Sequence, residues 1–148
     1  MMVKFKGNLT RHFSLSEYAI GNTTGTVYVT KESMAHARRL ERLRRKLKMP
    51  MYVTSWFRTP ELNAKVGGIP TSNHLKGLAT DFHLDVVITE KLAIKIMRMW
   101  KAICNNDGVN GEAGLYPWGM HLGSGVPIKG FKNWDSRSGN QKNQAFNI

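Results

Sequence analysis

Residues Ser72 to Phe82 read SNHLKGLATDF, and the fold is decided by how this stretch is interpreted. It places His74 seven residues before Asp81, with Gly77 between them and an apolar-alternating segment starting at Leu78. Imidazole and carboxylate are both good ligands for a dication such as zinc. A loop histidine and a strand aspartate meet at one metal if the chain turns between them, and Gly77 permits that turn at low steric cost. The same spacing also fits a turn histidine and a strand-end carboxylate that never meet. The flanking sequence has to separate the two.

Upstream, Met51 to Phe57 is rich in β-favouring residues and reads as a strand. Thr59 then caps a short helix, with Pro60 in its first turn and Gly67-Gly68 at its end. Arg58 falls at the strand-to-helix corner. It is either a surface arginine or a planar fork aimed into a cleft, able to hold a carboxylate bidentately. Downstream, Leu78 to Val87 reads as a second strand. Alternation puts Ala79, Asp81 and His83 on one face and Leu78, Thr80, Phe82 and Leu84 on the other. His83 is expected to be packed or hydrogen-bonded in the sheet rather than to be a ligand.

Beyond it, Thr89 caps a helix whose Leu92, Ile96, Met99, Trp100 and Ile103 form a core stripe, and NNDG ends it. The turn-rich segment that follows fits two short strands, near Ala113 to Tyr116 and Trp118 to Leu122. Met120 and Leu122 point opposite to His121, which leaves His121 free to face a cleft.

Nearer the start, Ser14 and Glu17 form a capping-box pattern flanked by Phe13 and Tyr18, so a short helix is expected over Leu15 to Ile20. A longer helix is expected from about Glu32 to Met49. Met34, Ala37, Leu40, Leu43 and Leu47 make its apolar stripe, while Arg38, Arg39, Arg42, Arg44, Arg45, Lys46 and Lys48 fill its other faces.

The chain has 148 residues, which fits a single domain over 1–148 with a polar tail from about 132. Lys and Arg total 22 against ten acids, a net charge of +12. That field favours a polyanionic partner or surface. No nucleic-acid motif accompanies it, so a specific nucleic-acid partner is not expected. Cys104, the single cysteine, has no internal partner and is expected to be packed. No run approaches the ~18 apolar residues of a membrane span. The first ten residues lack the apolar core of a secretory signal.

Taken in order, HFSLSEY, VTSWFRTPELNAKVGGIPTSNHLKGLATDF and LYPWGMHL resemble the zinc D-Ala-D-Ala carboxypeptidases. They are also similar to the phage relatives of those enzymes, the L-alanyl-D-glutamate endopeptidases and virion-borne wall hydrolases, in the superfamily that includes the hedgehog signalling domain. The resemblance runs from about His12 to Leu122. It implies an α+β fold: a small antiparallel sheet carrying the zinc site, with helices packed mainly on one side. It makes His74, Asp81 and His121 the metal ligands, leaving the fourth position open as in catalytic zinc sites. It makes Arg58 the holder of a substrate carboxylate and Ser72 a polar group beside the first histidine.

The chain departs from the family where relatives keep an acid or histidine near the last ligand. Here Trp118, Gly119 and Gly123 surround His121, and none can move a proton. Glu112 and Asp135 are the remaining candidates for general base. The resemblance therefore implies a zinc peptidase of bacterial peptidoglycan, of phage or prophage origin, with other virion proteins as further partners. Such a chain would be made in the host cytoplasm without a signal peptide and would act on the wall after release or within a virion. The alternative is a non-catalytic virion or wall-docking module of the same fold.

Overall fold

The computed structural model describes residues 7–137 and 145–148. Its elements follow the local chemistry closely. Helix α1, Leu15–Tyr18, starts at Ser14, whose Oγ accepts from the Glu17 amide while Glu17 Oε1 accepts from the Ser14 amide. Phe13 and Tyr18 flank this box, and both pack edge-on against Trp56. Helix α2, Lys31–Leu47, is capped by Thr30 and ends at Lys48, which adopts a left-handed conformation. Strand β1, Tyr52–Ser55, leads into α3, Pro60–Lys65, and then to a 3-10 turn, Asn73–Lys76. Next come β2, Ala79–His83, and α4, Glu90–Asn106. The chain closes with β3, Gly111–Tyr116, β4, Gly119–Ser124, and β5, Phe131–Asp135.

The strands form one five-stranded sheet in the order β1-β2-β4-β3-β5. The first four pair antiparallel, as expected, and β5 adds a parallel edge beside β3. This strand was not expected, because Phe131 to Asp135 opens what reads as a polar tail. Strand β2 is also shorter than expected. Its ladder ends at the Tyr52–His83 pair, and Asp85, Val86 and Val87 beyond it are exposed.

The two faces of the sheet have different fates. Thr80, Phe82, Met120, Leu122, Ala113 and Leu115 point into the core, where α2 and α4 cover them with Leu40, Leu43, Ile96, Met97 and Trp100. The opposite face carries Asp81 and His121. α2 diverges from a simple amphipathic helix in one respect: His36 and Arg39 are buried in its core-facing side. Arg39 is not one of the solvated cations that the helix pattern implied. It donates through Nε to Asp107 at 2.9 Å and through Nη1 to Ser124 Oγ at 3.0 Å. Cys104 is buried as expected, and burial pushes its thiol up to about 11.

Candidate metal centre

His74 stands on the 3-10 turn rather than in an open loop. Ser72 caps that turn, its Oγ accepting from the His74 amide at 3.3 Å. Gly77 closes it with φ of 69°, and a Cβ there would lie 2.3 Å from Tyr18 Oη, so only glycine fits. The turn is tied to the end of β1 at three points. Trp56 Nε1 donates to Gly77 O at 3.0 Å, the Arg58 amide donates to His74 O at 2.9 Å, and His74 Nδ1 donates to Trp56 O at 2.7 Å. The last bond fixes the tautomer: with the proton on Nδ1, the Nε2 lone pair faces Asp81 Oδ1, 3.3 Å away.

The antiparallel register of β2 and β4 sets Asp81 directly opposite His121. His121 Nδ1 lies 2.8 Å from Asp81 Oδ1. One donor atom each from His74, Asp81 and His121 fall within 4.8 Å of one another. Two imidazoles and one carboxylate at this separation fit a zinc-type ion. Electrostatics agree with that fit. Burial acts against the Asp81 charge, but hydrogen bonds from His121 and His74 outweigh it and hold the carboxyl well below its usual range. Burial likewise opposes charge on His121, yet Asp81 and Glu112 together push it up to about 9. The pocket is thus arranged to stabilise positive charge at its centre.

The structure treats the two candidate proton carriers differently. Glu112 sits on β3 across from Gly123, on the same face as His121. Its Oε2 lies 2.5 Å from His121 Nε2, and its Oε1 accepts from Asn73 Nδ2 at 3.2 Å. A Cβ on residue 123 would come within 2.6 Å of Glu112 Cγ. Glu112 therefore occupies the space that a side chain two residues after His121 would fill. Asp135 goes elsewhere. It pairs in register with the core residue Leu115, so strand alternation turns it to the helix side of the sheet. There its oxygens accept from Arg137 at 2.7 and 2.9 Å.

Arg58, Ser72, His74, Asp81 and His121 line a cleft of about 260 Å³. Arg58 is held by Ser55 Oγ at 3.1 Å and Asn63 Oδ1 at 3.3 Å, with Nη2 3.6 Å from Asp81 Oδ2. Its guanidinium is thereby fixed at the rim of the ligand set. The sequence reading did not single out Trp134, Tyr116 or Asn73. Trp134 packs beside His121, with ring centroids 5.6 Å apart, and its Nε1 donates to Tyr116 Oη at 2.9 Å. Only the unexpected strand β5 brings Trp134 there. His83 is neither a ligand nor buried. It stacks on Tyr52 at 5.2 Å, and its Nδ1 lies 3.2 Å from Leu84 O.

A search of curated proteins finds none that matches the chain. A sequence profile of the peptidase M15 family matches residues 11–112, which takes in Arg58, Ser72, His74, Asp81 and Glu112. His121 lies beyond the matched stretch and joins the others through the β2–β4 pairing. The matched length exceeds half of the chain, and the chain belongs to the peptidase M15 family.

Proposed function

We propose that this protein is a zinc metallopeptidase that hydrolyses peptide bonds in the stem or cross-link peptides of bacterial peptidoglycan, and that it is of phage or prophage origin. The observation that carries this reading is the convergence of His74, Asp81 and His121, with Glu112 against the third ligand and Arg58 at the rim. The peptidoglycan assignment is supported by the similarity of the Arg58-to-Phe82 block to wall peptidases and by the charge of a stem-peptide carboxylate, which Arg58 matches.

His74, Asp81 and His121 would hold the ion. When bound, zinc supplies Lewis acidity and lowers the pKa of water to about 7. The remaining work falls to the chain. Arg58 receives a substrate carboxylate and so sets the position of the scissile bond beside the ligands. Glu112 accepts a hydrogen bond from His121 Nε2–H, which keeps Nδ1 turned toward Asp81 and His74. The same carboxylate is the acceptor for a proton from the water attacking the carbonyl, and it returns that proton to the leaving amine as the C–O bond forms and the C–N bond breaks. Trp134 and the buried strands exclude bulk water from one side.

The test is hydrolysis of defined stem peptides by the purified chain. Cleavage is expected with zinc, lost on chelation and restored by zinc. Failure to cut purified peptidoglycan and every stem peptide, with zinc bound, would leave only a wall-docking role.

A further inference from the structure

A second groove, of about 640 Å³, adjoins the metal cleft. Tyr116 and Trp118 line both, so they form the wall between them. Trp118 is 48% exposed, which is unusual for so large an apolar side chain. It is also ordered by its neighbour: the Trp118 and Tyr116 rings stack at 4.8 Å with an interplanar angle of 13°. Tyr116 is in turn fixed by the hydrogen bond from Trp134. Tyr116 covers one indole face, and nearly half of the Trp118 surface stays exposed. His83 also lines the groove, and its ring stacks on Tyr52, which is 41% exposed and lies outside the lining. The groove is therefore bordered by one stacked ring pair, Tyr116 and Trp118, and by the His83 ring. Two carboxylates also line it, with the exposed Val86 and Val87: Asp85, which accepts from Tyr52 Oη at 3.0 Å through one oxygen, and Glu90, which accepts from the lining residue Arg137 at 3.2 Å.

Position gives this groove a meaning. Arg58 lies in the metal cleft and does not line the groove, so a substrate held by its carboxylate at Arg58 crosses the ligand set and leaves past Trp118. Rigid aromatic faces cost little entropy to use in binding. Flat faces beside carboxylates match a pyranose ring, whose C–H face stacks on an arene and whose hydroxyls donate to carboxylate oxygens. They match a bare peptide less well, because its backbone needs paired donors and acceptors along its length. A few placed polar groups in an otherwise apolar groove are the usual means of fixing such a ligand.

We infer that this groove is a saccharide subsite, which holds a sugar ring of the wall glycan on the side of the metal cleft away from Arg58. This rests on the wall-peptidase reading for its biological ligand but not for its geometry. Trp118 is then a specificity-determining residue: it makes the protein prefer sugar-bearing substrate over free peptide.

The experiment is calorimetric titration of the full zinc-loaded chain with peptide-free glycan oligomers of N-acetylglucosamine and N-acetylmuramic acid, which offer no peptide bond to cut. Binding is expected, at least tenfold weaker in Trp118→Ala and also weakened in Asp85→Asn, and unchanged in the helix variant Lys95→Ala. Circular dichroism confirms that each variant is folded. Hydrolysis of a sugar-free stem peptide is expected to be the same in Lys95→Ala as in the parent. No glycan binding, or binding that survives both groove substitutions, overturns the inference. Glycan binding without peptide hydrolysis keeps the subsite and removes the peptidase reading. Hydrolysis without glycan binding does the reverse.

Discussion

Glu112 reaches His121 because residue 123 has no side chain. A strand neighbour two residues from a ligand shares its face, so an acid at 123 would be the direct way to place a carboxylate there. This chain places glycine at 123 and fills the space from the adjacent strand. That substitution of strands explains why the acid could not be located by its distance from His121 in sequence. Register and alternation put Glu112 against His121 and Asp135 against Arg137. The role assigned to Glu112 predicts that Glu112→Gln retains its metal, since an amide oxygen still accepts from His121 Nε2, but loses about 10²–10⁴-fold in kcat on a cleavable stem peptide. Metal analysis and steady-state kinetics on one preparation check this. Near-parental kcat would reduce Glu112 to orienting His121.

At the scale of elements, the sheet is joined to α2 through a buried histidine. His36 Nδ1 lies 2.7 Å from Ser124 Oγ on β4, and Nε2 lies 3.0 Å from Thr80 Oγ1 on β2. These strands carry His121 and Asp81 on their other face. Burial first, then the charge of Arg39, holds His36 down at about 3. Its folded value lies below the unfolded value of about 6.5, so the unfolded chain binds the proton more readily. Stability is therefore full above about pH 6.5 and falls as pH drops toward 3, with about 2 kcal/mol lost from His36 by pH 5. Urea denaturation at pH 7.5 and pH 5 is expected to show that loss in the parent and a smaller one in His36→Gln. The helices themselves were legible because caps and stripes are local: Ser14 with Glu17, Thr89 before α4, and Leu40, Leu43 and Leu47 along α2 all behave as their spacing implies. His36 and Arg39 escaped because a polar residue on a core-facing position looks solvated until its partners, 44 and more residues away in the chain, are in place. Strand β5 escaped because FKNWD has no strong alternation of its own and gains its place only by pairing with β3.

Over the whole molecule, charge and chemistry are separated. The exposed cations Arg38, Arg45 and Lys46 on α2 and Lys48 at its C-cap, with Lys91, Lys95 and Arg98 on α4, stand on the helical layer. The metal cleft opens on the other face of the sheet. Attraction to an anionic surface therefore need not compete with the cleft. Replacing Arg38, Arg45, Lys46 and Lys48 together by Gln is expected to reduce salt-sensitive adsorption to isolated cell wall while leaving kcat on a soluble peptide unchanged. Among the described residues no helix is long and apolar enough to cross a membrane. The α+β class was legible, and the grouping of His74, Asp81 and His121 could be anticipated, because Ser72 to Phe82 has a strong local pattern and His121 lies on a strand whose neighbours alternate cleanly. The cleft wall was not legible, because Trp134, Tyr116 and Trp118 meet only through sheet order. The central claim is that His74, Asp81 and His121 form one metal site, and metal stoichiometry by mass spectrometry of the purified chain tests it most directly. The account predicts one zinc per chain in the parent, in Glu112→Gln and in Asp135→Asn, and little or none in a folded Asp81→Ala. A parent that takes up no metal, or an Asp81→Ala that keeps a full equivalent, would contradict it.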